Sequence, residues 1–163
     1  VFWLSAKVQT MKPESARNLF YAFAAIMGIS LSSLLLVFTG ESVIRVFFLT
    51  AASFSALSIY GYTTKKNLTS MGSFLIMGLV GLILASIVNI FLASSAMQFI
   101  ISVVGVLIFA GLTAYDTKRI KLMYMASDYI VKSLKKSIMG ALNLYLDFIN
   151  MFIMLLQLLG NRE

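Results

Sequence analysis

The sequence contains no cysteine and no histidine. That excludes disulfides, thiolate nucleophiles, Cys/His zinc sites and any Ser-His or Cys-His dyad. Proline occurs once, at Pro13. Acidic side chains are scarce too. Glu14, Glu41, Asp116, Asp128, Asp147 and Glu163 are all six of them, so any proton or cation chemistry by carboxylates draws on this short set. No P-loop pattern occurs, and no polar segment is long enough to host a nucleotide-binding domain. A nucleotide enzyme is therefore not expected.

Apolar residues are abundant. Of the 163 residues 60% are hydrophobic and 12% charged, where globular domains run near half and a quarter. This composition predicts an all-α membrane protein, a polytopic transmembrane helix bundle. A spanning helix needs about 20 mostly apolar residues. Five stretches qualify, roughly 19–38, 43–63, 72–92, 96–116 and 138–159, within a single transmembrane domain. The opening VFWLSAKVQT (1–10) reads as the tail of a further apolar helix entering a polar segment, as expected of a fragment of a longer chain. Small residues recur inside the spans, among them Gly28, Gly78, Gly105 and Gly111, and they suit close helix approach.

The net charge is +7, which on a soluble protein would suggest nucleic acid. The positions of the basic residues argue for topology instead. Lys7, Lys12, Arg17, Lys65, Lys66, Lys118, Arg119, Lys121, Lys132, Lys135 and Lys136 fall on alternate connections, eleven of thirteen, leaving Arg45 and Arg162 for the other side. The positive-inside rule puts the eleven in the cytoplasm and the C-terminal GNRE outside. No nucleic-acid partner is expected; the solvent is a lipid bilayer.

Two carboxylates sit in apolar surroundings. Asp116 lies in GLTAYDTKRIK (111–121), at the end of the fourth span, and Asp147 in NLYLDFINMF (143–152), deep in the fifth. In an antiparallel hairpin, residues equidistant from the turn lie side by side. Asp116 and Asp147 are equidistant from a point near 131–132, in the polar stretch SDYIVK (127–132), which is expected to turn. Both would then lie at one depth, roughly 20 Å from the turn at 1.5 Å per residue. Asp147 belongs to a polar stripe of Asn143, Asp147, Asn150 and Gln157 on one helical face. Lipid cannot satisfy that stripe, so it is expected to face the bundle interior or a wet cavity. The bland reading of Asp116 is a solvated helix-end carboxylate paired with Arg119; that of Asp147 is a structural hydrogen bond. The functional reading takes them together. Two adjacent carboxylates share one proton and titrate in two separated steps. With Asn143 and Asn150 they also form a weak, transient site for a hard cation such as Ca²⁺, with Asp116 and Asp147 as the metal ligands, and conduction needs weak sites. No tightly held cofactor is expected.

These stretches resemble the Bax inhibitor-1 family in its bacterial branch of small seven-helix membrane proteins. The resemblance is carried by GLTAYDTKRIK, by MGALNLYLDFINMFIMLLQLLGNR (139–162), by SIYGYTTKKNL (58–68) and by SSAMQFIISVVGVLIFAGLTAYD (94–116), and it runs through essentially the whole chain. It implies seven helices, of which five full spans are expected here and the first two are absent apart from a remnant at 1–6. It implies a non-enzymatic, pH-sensitive calcium-leak channel of the bacterial inner membrane, with Asp116 and Asp147 as the sensor. It also implies links to suppression of cell death and to a membrane-anchored protease partner. One departure is that the family's second-helix charges, including an arginine that can pair with the sixth-helix aspartate, are not identifiable here.

Two rivals remain. A non-conducting membrane regulator, binding a protease or other partner, needs no aspartate pair. An intramembrane aspartyl protease would set Tyr115-Asp116 against a GxGD motif, but the second aspartate reads LYLD and the proline-rich third motif is absent.

Overall fold

The computed structural model describes residue 7, residues 10–125 and residues 130–160. For 124, 125 and 130–135 it describes the helical backbone alone. The suggested helix remnant at 1–6 and residues 127–129 of the suggested turn at 127–132 lie outside the described residues, while 130–132 are helical rather than part of a turn.

Among the described residues there are helices and turns and no strand. They are α1 (Pro13–Leu31), the short α2 (Leu34–Val37), α3 (Gly40–Thr63), α4 (Thr69–Leu92), α5 (Ser95–Met125) and α6 (Ile130–Leu159). Among the described residues, five segments are long and apolar enough to cross a membrane: Pro13–Val37, Gly40–Thr63, Thr69–Leu92, Ser95–Met123 and Lys136–Leu159. The chain is thus an integral membrane protein built as an all-α bundle.

Local sequence explains the helix boundaries. Pro13 opens α1, where its missing N–H costs nothing, and Glu14 sits in the first turn. α1 stops at Ser32 and Ser33, whose hydroxyls donate back to the carbonyls of Ile29 and Ser30 and compete with the helical ladder. The Thr39 hydroxyl caps α3 by accepting from the Ser42 N–H at 3.2 Å. Between α3 and α4 the Asn67 side chain accepts from the Thr69 N–H at 3.0 Å, an Asx turn. α4 ends on Ala93 in the left-handed region (φ 48°), a helix stop usually given to glycine. Asn89 steadies it, accepting from the Ser94 N–H at 3.1 Å, and the Ser94 hydroxyl then accepts from the Met97 N–H at 3.2 Å as α5 begins.

α5 and α6 form the centre of the bundle and pack along one another. α3 lies against both, α4 rests on α5, and α1 touches α6. The principal core joins Leu75 and Leu82 of α4 to Ile101, Ile108, Phe109 and Leu112 of α5 and Met151 of α6. A second cluster joins Phe38 and Val46 to Phe152 and Leu156. Phe148 meets Phe47 and Phe54 edge-on, with centroids 5.7 and 5.3 Å away. α1 is held by Ala16 and Leu142 near one end, with Leu19, Phe20 and Phe23 half-buried there, and most of the rest of its apolar span is exposed.

Glycine sets the closest approaches. Gly61 lies against the backbone of Ala114, and Gly72 lies against the ring of Tyr115. A Cβ at either position would collide, so these two glycines let α3 and α4 clamp α5 within two residues of Asp116.

Candidate functional site

The α5–α6 hairpin keeps a constant antiparallel register. Gln98 and Ser102 reach Gln157 at one end, and Gly140 meets Ile120 at the other. Between these anchor points the register brings Asp116 and Asp147 face to face. Their carboxyl groups are within hydrogen-bonding range of each other. Asp116 is 8% exposed and Asp147 5%. Ionised carboxylates only accept, so a direct bond between the two requires a proton on one of them. The Oδ2 of Asp147 is buried and has no hydrogen-bond partner.

Asp116 is not a helix-end carboxylate. α5 continues through it to Met125, as the hairpin arithmetic requires if both aspartates lie about 20 Å from the turn. Hydropathy marks where apolar side chains stop, whereas the helix continues through basic residues whose long side chains reach for water. The pairing of Asp116 with Arg119 entertained from sequence takes another form. Arg119 lines one cavity with both aspartates and places its guanidinium 5.9 Å from the centre of the Tyr115 ring. Thr113 and Thr117, flanking Asp116, are turned onto the carbonyls of Phe109 and Thr113 at 2.8 and 2.7 Å, so neither donates to the aspartates.

The pair forms part of the wall of a cavity of about 560 Å³. α4 and α6 straddle α5, and the cavity is the cleft between them. Its polar residues include Asp116, Arg119, Asn143, Asp147 and Asn150, while the α4 side presents Ile76, Leu79, Ile83 and Ser86. Asn150 donates its amide to the Leu146 carbonyl at 2.8 Å, which leaves its own carbonyl as an acceptor. The site thus offers carboxyl and amide oxygens against an apolar wall. Among the described residues no group of three or more acidic, His or Cys side chains could hold a metal. Two carboxylates with amide oxygens suit brief cation contact better than tight residence.

Gln157 belongs to the same helical stripe but does not line this cavity. It sits at the other end, in a network the sequence reading missed. Its Oε1 accepts from the Gln98 side-chain N–H at 2.8 Å and from the Ser102 hydroxyl at 3.1 Å. Asn89 donates to the Gln98 carbonyl at 3.4 Å. Asn89 lies on α4, and Gln98 and Ser102 lie one turn apart on α5, so only an expectation that polar side chains in apolar helices pair could have drawn them to Gln157.

A family model described as inhibitor of apoptosis-promoting Bax1 matches residues 1–163, the whole chain. The chain belongs to the Bax inhibitor-1 family. Curated relatives agree. An uncharacterized protein of Caulobacter vibrioides is 53% identical over 155 residues, covering 93% of this chain and 62% of the relative. The protein RP147 of Rickettsia prowazekii is 50% identical over 153 residues, covering 94% and 65%. The inner membrane protein YbhL of Escherichia coli K12 is 46% identical over 165 residues, covering 100% and 70%. The chain therefore spans about two thirds of the length of these relatives.

Proposed function

We propose that this Bax inhibitor-1 family chain belongs to a pH-sensitive calcium-leak pathway of the inner membrane, with the basic connections cytoplasmic. The observation that carries the reading is the buried Asp116–Asp147 contact on the wall of a cavity, with one carboxyl oxygen left unpartnered. Two occupancies of that contact exclude each other. In one, a proton bridges the carboxyls and the α5–α6 wall is joined. In the other, both are ionised and a cation offsets their repulsion, assisted by the amide oxygens of Asn143 and Asn150. Proton and cation therefore compete for one place, and a weak site with two states is what a regulated leak requires. Arg119 lines the same cavity as the pair and places a positive charge there. The reading involves no bond-breaking step and no resident cofactor.

A second reading is a non-conducting membrane regulator that binds a membrane protease or other partner. It is favoured by α1, whose apolar span is exposed over most of its length and touches the bundle through α6.

The deciding experiment is Ca²⁺ influx into dye-loaded liposomes containing the complete protein, from about pH 5 to pH 8. Asp116→Asn and Asp147→Asn are compared with the native protein. A flux whose pH response changes in both variants supports the leak. Superimposable pH profiles for all three eliminate the pair as sensor and leave the regulator reading ahead.

A further inference from the structure

A second cavity, of about 300 Å³, lies at the end of the bundle that carries the basic connections. It opens where three apolar spans stop, at Thr63, Met123 and Lys136. That places it at the level of lipid headgroups. Arg119 and Lys121 of α5 and Lys136 of α6 line it, along with Thr117, Ser137 and Tyr62. None of its lining residues is acidic. Three cations from two helices therefore converge with no carboxylate in the pocket lining itself.

The cations are held in place to different degrees. Lys121 donates to the Tyr62 carbonyl at 2.8 Å, and its ammonium lies 4.4 Å from the centre of the Tyr62 ring. An ammonium has three donors, so this leaves others for a ligand. Its neighbour Lys118 donates to the Lys66 carbonyl, which ties this end of α5 to the α3–α4 connection. Arg119 brings the planar donor fork that matches phosphate oxygens. The remaining wall is apolar, from Ile120, Met139 and Leu144. Gly140 admits the Ile120 side chain closely and fixes the spacing of α5 and α6 there.

We infer that this basic pocket binds a phosphate-bearing anion, either the headgroup of an anionic phospholipid or free phosphate, through Arg119, Lys121 and Lys136. Cations over an apolar wall at headgroup depth favour the lipid. Arg119 also lines the aspartate cavity. It is therefore divided between two sources of negative charge, the aspartates and the bound phosphate. Occupancy of the basic pocket draws it from the pair, which gives the leak reading a lipid input. That last link rests on the cavity that Arg119 shares with the pair, and it can be measured without flux.

The test uses the complete protein in detergent, delipidated and titrated with phosphatidylglycerol or with phosphatidylcholine, with bound lipid counted by native mass spectrometry. Inorganic phosphate is titrated separately as a competitor. Preferential retention of phosphatidylglycerol is expected. Arg119→Gln/Lys136→Gln should weaken it by about thirtyfold, at the usual worth of two basic side chains at a membrane surface. The charge-matched control Lys65→Gln/Lys66→Gln, outside the pocket, should retain it. Displacement of lipid by millimolar phosphate would assign the pocket to free phosphate. Equal loss in both double variants would reduce the effect to net charge and overturn the pocket, as would equal retention of the two lipids. Asp147→Asn removes one claim on Arg119 and should tighten phosphatidylglycerol binding by about fivefold, a modest coupling. Unchanged affinity in that variant would overturn the link to the aspartates and leave the pocket standing, whatever the flux assay shows.

Discussion

The side-chain amide of Gln98 donates to the Oε1 of Gln157 at 2.8 Å, across 59 residues of chain. The bond joins the start of α5 to the end of α6. It sets the far end of the same hairpin register that brings Asp116 to Asp147. Ser102, 1% exposed, donates to the same oxygen, so one acceptor serves two helical turns of α5.

Replacing Gln157 by Leu leaves both donors without that acceptor. Polar contacts between transmembrane helices are worth about 0.6 kcal/mol on average and up to about 1.7. We expect a loss of about 1 kcal/mol in reversible denaturant unfolding of the complete protein in micelles. In a double-mutant cycle Gln98→Ala and Gln157→Leu should be non-additive. Strict additivity would mean that the contact contributes nothing.

Gly61→Ala should damage the bundle near the site. A Cβ there would overlap the Ala114 backbone, which cannot rotate away as a side chain can. The overpacking cost is about 1–3 kcal/mol. Gly81 has nothing within 4 Å of an added Cβ, so Gly81→Ala serves as a matched control with unchanged or slightly higher stability. Thermal unfolding in detergent reads both. Equal melting temperatures would show that α3 does not clamp α5 at this point.

The aspartate contact should be visible without flux. A shared proton leaves a protonated carboxyl, with its own C=O stretch in difference infrared spectra. That band should disappear in both Asp116→Asn and Asp147→Asn, since each removes the partner that holds the proton. Added Ca²⁺ should diminish it in the native protein, because the cation and the proton compete. A carboxyl band that persists unchanged in both variants would locate the proton elsewhere.

Orientation is testable by fusion. The excess of Lys and Arg on alternate connections predicts that a reporter placed after Gly160 registers the external face. A cytoplasmic signal would mean that α6 re-enters rather than crosses.

The membrane class and the helical architecture were legible in the sequence because bilayer solvation is a one-dimensional constraint. An apolar run of sufficient length must bury its own backbone hydrogen bonds, and a helix does this without partners. The depth of Asp147 followed from the same logic, and its alignment with Asp116 from the antiparallel arithmetic of a hairpin. Pair distances within one hairpin depend on rise per residue, which hardly varies.

What the tertiary structure decided concerns neighbours outside that arithmetic. It extended α5 past Asp116 to Met125, turning an apparent interfacial carboxylate into a buried one. It split the polar stripe of α6, giving Asn143, Asp147 and Asn150 to the cavity and Gln157 to Gln98 and Ser102. It placed Arg119 between the aspartate cavity and the basic pocket. Helical periodicity says which side of a helix a residue occupies. It does not say which other helix faces that side, because close approach depends on side-chain volumes far apart in the chain, such as the absent Cβ atoms of Gly61 and Gly72 against α5. Hydropathy along the chain determined that Asp147 would be buried; packing across the chain determined what both carboxylates are buried against.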